Sequence, residues 1–179
     1  AWNDLRTFAE SLVPDGCFVG TLAAIQCLND GSANDLSDIA DDIWPRSQTG
    51  DGTHPNDTAK IVIARAIIGA LIANGDMTGT VAVPGAPQTV AAVTGSSSGE
   101  IDVTWDMPSD DGRRPVEAHR VSVEDSPGAG TYSVVATDLR ARAYTITGLT
   151  AGATYGVLVE SYNPEGWGSV GSDSAAAGS

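Results

Sequence analysis

Hydrophobic and polar positions follow two different periods along this chain, and the change falls near its middle. In the second half, apolar residues alternate with polar ones in short runs separated by turn residues. Ile101, Val103 and Trp105 fall on one face of one run, His119, Val121 and Val123 on one face of the next long one, and Tyr155, Val157 and Val159 repeat the pattern. Alternation places successive side chains on opposite faces, so these runs predict half-buried strands, and several short strands with regular turns predict a two-sheet sandwich. The serines at 95–98 read as a polar hairpin or linker.

The first half reads as helical. Trp2, Leu5, Phe8 and Leu12 share one helical face, with Asp4, Arg6 and Glu10 elsewhere, and Pro14-Asp15-Gly16 ends that segment. Cys17-Phe18-Val19 is a short apolar run that reads as a buried strand or a piece of helix. A second helix is expected around Asp35 to Trp44, then a turn-rich loop from Pro45 to Pro55. Asn56 or Asp57 suits the N-cap of a third helix reaching about Ala73, with Asn74-Gly75 as its stop. Ile61, Ile63, Ile67, Ile68, Leu71 and Ile72 spread widely around that helix, so most of its sides require cover. The expected partner is an upstream part of the same protein or a neighbouring chain lying on residues 57–73.

Val81 to Pro87 is punctuated by Pro and Gly and reads as the connection between the two halves. The expected domains are therefore residues 1–77, a linker at 78–86, and residues 87–179. With 179 residues there is room for two small units.

Charge and composition remove several functions. The net charge of −14 divides evenly between the halves, and Lys60 is the only lysine, so there is no basic surface for a nucleic-acid backbone or an anionic membrane. The longest apolar stretch, Ile61 to Ala73, is too short to span a bilayer and contains Arg65. Acidity with few lysines and abundant Ala, Gly, Asp and Thr is common in secreted and virion proteins, and an extracellular or virion location is expected. Cys17 and Cys27 flank a segment that could fold back on itself, which permits a disulfide without requiring one. No Cys/His cluster has metal-ligand spacing, and no cofactor motif is present.

Trp105-Asp-Met-Pro108, Asp110-Asp-Gly112 and Pro115-Val116 together resemble the second strand, loop and third strand of a fibronectin type III domain. Leu149-Thr-Ala-Gly152-Ala-Thr-Tyr155 resembles that family's turn into its sixth strand, and Asn163-Pro-Glu-Gly166-Trp-Gly168 its last hairpin. The resemblance implies an all-β immunoglobulin-like sandwich in which the tyrosine hydroxyl bonds to upstream backbone. It also implies a binding or spacer module rather than a catalyst. His119 and Ser161 depart from the family's usual tyrosine and alanine. His119 reads as a tolerated strand residue, because no ligand-type residue lies at suitable spacing. Trp167 is either a sugar-stacking aromatic or a cover for the sandwich edge, and the second reading is preferred. Arg113 and Arg114 could grip an anion, but adjacent Asp110 and Asp111 are expected to neutralise them.

The loop Asp51-Gly-Thr-His54-Pro55-Asn56-Asp57 resembles the Asp-x-x-His-Pro block near the C-terminal end of SGNH (GDSL-type) hydrolases. A helix carrying Leu5-Arg6, a short strand, an acidic irregular stretch, this loop and a final apolar helix follow the order of the last third of that α/β, flavodoxin-like fold. The resemblance implies ester hydrolysis, with His54 as general base and Asp51 holding its tautomer and stabilising the imidazolium. The family's Gly-Asp-Ser nucleophile and Gly-x-Asn-Asp oxyanion donor are not found in these 179 residues. Gly31-Ser-Ala-Asn34-Asp35 instead reads as a turn and helix cap. A triad lacking nucleophile and oxyanion hole performs no acyl transfer, so this chain alone is expected to be inactive.

Three functions are thereby set against one another. The first is the C-terminal part of an extracellular or virion-borne SGNH-type esterase acting on a polysaccharide or cell-envelope glycan, followed by a fibronectin type III spacer or attachment module. The alternative is a structural or adhesion component, such as a phage tail or virion protein, that keeps a hydrolase-like scaffold without chemistry. The third is a secreted protein with an unrelated helical part, His54 being an ordinary loop residue.

Overall fold

The computed structural model describes residues 26–29, 32–40, 45–49, 55–73, 75 and 78–179. The expected helix at 2–12, the run at 17–19, Cys17, Asp51 and His54 lie outside the described residues.

Seven strands form the C-terminal domain: β1 (Gln88–Thr94), β2 (Ile101–Asp106), β3 (Ala118–Glu124), β4 (Tyr132–Leu139), β5 (Ala143–Ile146), β6 (Thr154–Asn163) and β7 (Gly166–Ala176). They make an antiparallel sheet ordered β1-β2-β5 and another ordered β4-β3-β6-β7. The two inner faces supply the core. Ile101, Val103 and Trp105 from β2 meet Val121 and Val123 from β3 and Tyr155, Val157 and Val159 from β6, joined by Ile146, Ala92 and Ala177. Complete burial of each large side chain contributes roughly 1.5–3 kcal/mol before chain entropy is counted. On β6 every second residue from Tyr155 to Asn163 is buried, which is the alternation expected of a strand with one wet face.

The open side of the sandwich is closed by β1 lying beside β7, where the Ala92 N–H donates to Asp173 Oδ2 at 2.8 Å. Where the chain turns into β6, the Thr150 N–H donates to the Tyr155 hydroxyl at 3.2 Å, the bond to upstream backbone that the family resemblance implied. That contact lowers the Tyr155 phenol from its ordinary value. Turn residues 95–100 join β1 to β2, with the Gly95 N–H bonded to the Glu100 carbonyl.

Among the described residues before the sandwich are two α-helices, α1 (Ala33–Ala40) and α2 (Asp57–Ala73), and a 3-10 turn at Arg46–Gln48 within the expected loop. The start of α1 is capped by Ser32, whose hydroxyl accepts the Asp35 N–H at 3.2 Å, as read for the Gly31–Asp35 stretch. In α2, Asn56 Oδ1 accepts the Ala59 N–H at 2.9 Å, and Gly75 at φ +82° ends the helix with a bond to Ile72. One face of α2 buries Ala59 and Val62, while Ile61, Ile67 and Ile68 are exposed. Cys27 is a free, buried thiol, raised to about 12 chiefly by desolvation.

The segment read as a linker is fastened to the sandwich. The Ala82 N–H bonds to the Gly112 carbonyl and the Gly85 N–H to the Asp110 carbonyl, both at 2.9 Å. Gly112 has φ +69°, and a Cβ there would lie 1.9 Å from the Ala82 oxygen, so the close approach requires glycine.

Candidate functional site

The stem of the Asp51–His54 loop is built from three neighbouring pieces of chain. Asp35 and Asp38 stand one turn apart on α1 with both carboxylates buried. Asp35 Oδ1 accepts the Ser47 N–H at 3.0 Å, and the Ser47 hydroxyl donates to Oδ2. Asp38 accepts the Arg46 N–H at 3.0 Å, and the Arg46 guanidinium donates to both of its oxygens through Nη2 at 2.9 Å and Nε at 3.0 Å. These bonds hold the Asp38 carboxyl below its usual range and the Arg46 guanidinium above its own.

Asn56 joins the far side of the loop to the same turn. Its N–H donates to the Gln48 carbonyl at 2.9 Å and its Nδ2 to the Ser47 carbonyl at 2.8 Å. Gln48 Nε2 in turn donates to the Leu28 carbonyl at 3.0 Å. An antiparallel bridge between Thr49 and Pro55 completes the neck. Residues 49 and 55, which bracket Asp51 and His54, are therefore held against one another at the entrance to α2. In the sequence Asp35 reads as part of a turn and helix cap, and Asp38 is not singled out; their spacing of three residues on one short helix is the available signal.

The sandwich carries the other singled-out residues. His119 is fully buried, with its ring edge-on to Trp105 at 5.5 Å between centroids. Desolvation first, then the nearby Arg142 charge, lowers it to about 3, so it is neutral and part of the core. Trp167 is half-buried: Arg120 Cζ lies 4.5 Å above its ring, and the Tyr162 ring is 5.2 Å away. Arg120 is itself held by Glu160 through Nε at 2.7 Å and Nη2 at 2.8 Å. Trp167 thus covers the β3-β6-β7 surface, and its upper face is occupied by a guanidinium.

Of the two loop arginines, Arg114 is paired differently from the expectation. Arg114 meets Glu165 at 3.2 Å, and Asp111 meets Arg65 of α2 at 2.7 Å. Asp110 and Asp111 spend an oxygen each on the N–H groups of Gly112 and Arg113, because a carboxylate at the head of a turn caps backbone two residues on. Among the described residues no group of His, Cys, Asp and Glu could hold a metal ion, and no helix is long and apolar enough to cross a membrane.

Residues 85–176 match the family model of the fibronectin type III domain. Among solved structures, the chain is similar to a Fn3-like protein from Clostridium thermocellum at 20% identity, over 55% of this chain and 97% of that one, with a TM-score of 0.46. It is similar to a human FNIII domain at 19% identity, over 57% and 85% of the two chains, with a TM-score of 0.49. It is also similar to a structure of titin domains at 21% identity, over 52% of this chain and only 30% of that one, with a TM-score of 0.44. The two-sheet order, the Tyr155 corner and the match to residues 85–176 agree, and the chain belongs to the fibronectin type III family.

Proposed function

We propose that the fibronectin type III domain is a spacer or attachment module for an extracellular or virion-borne SGNH-type ester hydrolase, whose C-terminal part precedes it in this chain. In this reading His54 is the general base and Asp51 orients it, while the nucleophilic serine and oxyanion donors come from upstream residues of a longer protein. The substrate class is an acyl or acetyl ester of a polysaccharide or cell-envelope glycan. The supporting observation is the neck: the Thr49–Pro55 bridge and the two Asn56 bonds hold together the ends of the loop that carries both residues. A general base must be presented at a fixed place, and a closed stem on buried carboxylates is suited to that.

The test is hydrolysis of p-nitrophenyl acetate and of an acetylated polysaccharide by the 179-residue chain and by a form extended upstream, each with and without His54→Ala. Activity in the extended form that His54→Ala abolishes supports the reading. An extended form without activity, or one indifferent to His54→Ala, overturns it.

A second reading, a structural or adhesion component of an assembly such as a phage tail, draws support from the exposed Ile61, Ile67 and Ile68 on α2. A neighbouring chain or an upstream segment covering that face would remove this apolar surface from water. The absence of a Gly-Asp-Ser motif in the upstream coding sequence would favour it.

A further inference from the structure

Helix α2 carries a glycine in the middle of an otherwise strongly helix-forming run, Ala66-Ile-Ile-Gly69-Ala-Leu-Ile-Ala73. Glycine there weakens the helix, and helical backbone gives it no conformational role. Its surroundings supply the reason. A Cβ on Gly69 would lie 2.6 Å from the Arg113 carbonyl oxygen and 3.1 Å from the Arg114 side chain. The backbone of α2 thus rests directly on the 110–114 loop of the sandwich.

Three further contacts continue this approach. Arg65, one turn earlier, places Nη1 2.7 Å from Asp111 Oδ2. Ile72 and Arg113 both close on Gly79, where a Cβ would stand 2.9 Å and 3.0 Å from their side chains. On the β5 side, Asn29 Nδ2 donates to the Arg140 carbonyl at 2.9 Å, and the Arg142 guanidinium donates to the Asn29 carbonyl. Arg142 also faces Asp106 at 3.5 Å, at the end of β2 from which the 110–114 loop departs, so both patches belong to one pole of the sandwich.

We infer that this pole, made of the 110–114 loop and the Arg140–Arg142 turn, is a docking surface whose partner is the helical part of the same chain, met through α2 and the Gln26–Asn29 turn. The module is then held in a fixed orientation to the part it follows rather than swinging on a free tether. Asn163 ties the pole together, its Nδ2 donating to the Ala82 and Asp111 carbonyls at 2.8 Å each. The inference is independent of any ester chemistry.

Gly69→Ala in the full chain separates the two situations by sign. On a helix clear of the sandwich, alanine is the better residue and raises the melting temperature of the helical part, by about 2–4 °C. On a docked helix the new methyl meets the Arg113 carbonyl, lowers that melting temperature and speeds amide hydrogen exchange at 110–114 as well as in α2. The outcome with a raised melting temperature, or with exchange in the loop unchanged, overturns the inference.

A second pair of variants spares the local turn: Asp111→Asn keeps an acceptor for the Arg113 N–H, and Arg65→Gln removes the cation. Docking requires each alone to quicken exchange in the other's segment, with the double variant no worse than either single one. Independent, additive effects confined to each variant's own segment would count against it.

Discussion

His119 Nδ1 lies 3.1 Å from the Ser161 hydroxyl, between paired positions of β3 and β6 and away from solvent. A histidine held neutral there makes folding sensitive to acid. Its value falls from 6.5 to about 3 in the folded protein, so between those pH values the unfolded chain binds a proton that the native one does not. The stability that His119 contributes is therefore fully present above pH 6.5 and declines as pH falls toward 3, by up to about 1.4 kcal/mol per pH unit. Urea unfolding at a series of pH values should show this slope, and His119→Phe should flatten it. At pH 7 the variant should cost about 1–2 kcal/mol, because the Ser161 hydroxyl is left without its partner.

Asn163 is the second test of a buried polar group. Both of its amide hydrogens face carbonyls, of Ala82 and Asp111, while its Oδ1 accepts the Glu165 N–H at 2.8 Å. Asn163→Asp preserves the shape and replaces the donor by a charged acceptor facing two oxygens. A loss of about 2–3 kcal/mol is expected at neutral pH. Part of it should return in acid, where the carboxyl regains a proton to donate. Exchange at the Ala82 and Gly85 amides should quicken in parallel.

The elements most legible in the sequence were those whose two faces differ in wetness. β2 and β6 alternate because one face is core and the other solvent, and α2 announced its ends through Asn56 and Gly75. β4 has no such contrast: it is an edge strand, and Tyr132, Val134 and Val135 are all exposed. β7 is rich in Gly and Ser and is held largely by its backbone ladder to β6, which leaves little hydrophobic trace beyond the hairpin. Ion pairing was misread at Arg114 because its partner, Glu165, is adjacent only after the sandwich closes. At the candidate site, Asp51-x-x-His54 was visible as a motif, whereas the Asp35 and Asp38 support depends on tertiary proximity to residues 46–47.

Trp167 offers a test of what the β3-β6-β7 surface does. Its contacts with Arg120 and Tyr162 give it a structural role, and Trp167→Ala should cost about 1–2 kcal/mol in urea unfolding. Binding of the domain to a polysaccharide, where it is found, should survive the substitution. Abolished binding at unchanged stability would instead make Trp167 a sugar platform.

Asp38 and Arg46 provide the sharpest test of the loop stem. The Arg46 side chain is 62% exposed while that of Asp38 is 3% exposed, so the carboxylate is the anchored member and the guanidinium closes over it. Because the Asp38 carboxyl is held below 3.8, the stem is secure above that pH and loosens as pH falls through the lower, folded value. Asp38→Asn should release the charge without changing shape, and the Gln48 and Thr49 amides, which close the 3-10 turn onto Pro45 and Arg46, should exchange faster. If the loop above this stem presents a general base, the same variant in an upstream-extended active form should lower kcat with little change in KM, since the ester is still bound but the base is less well placed. Faster exchange with kcat untouched would show that the stem supports the fold and not the chemistry.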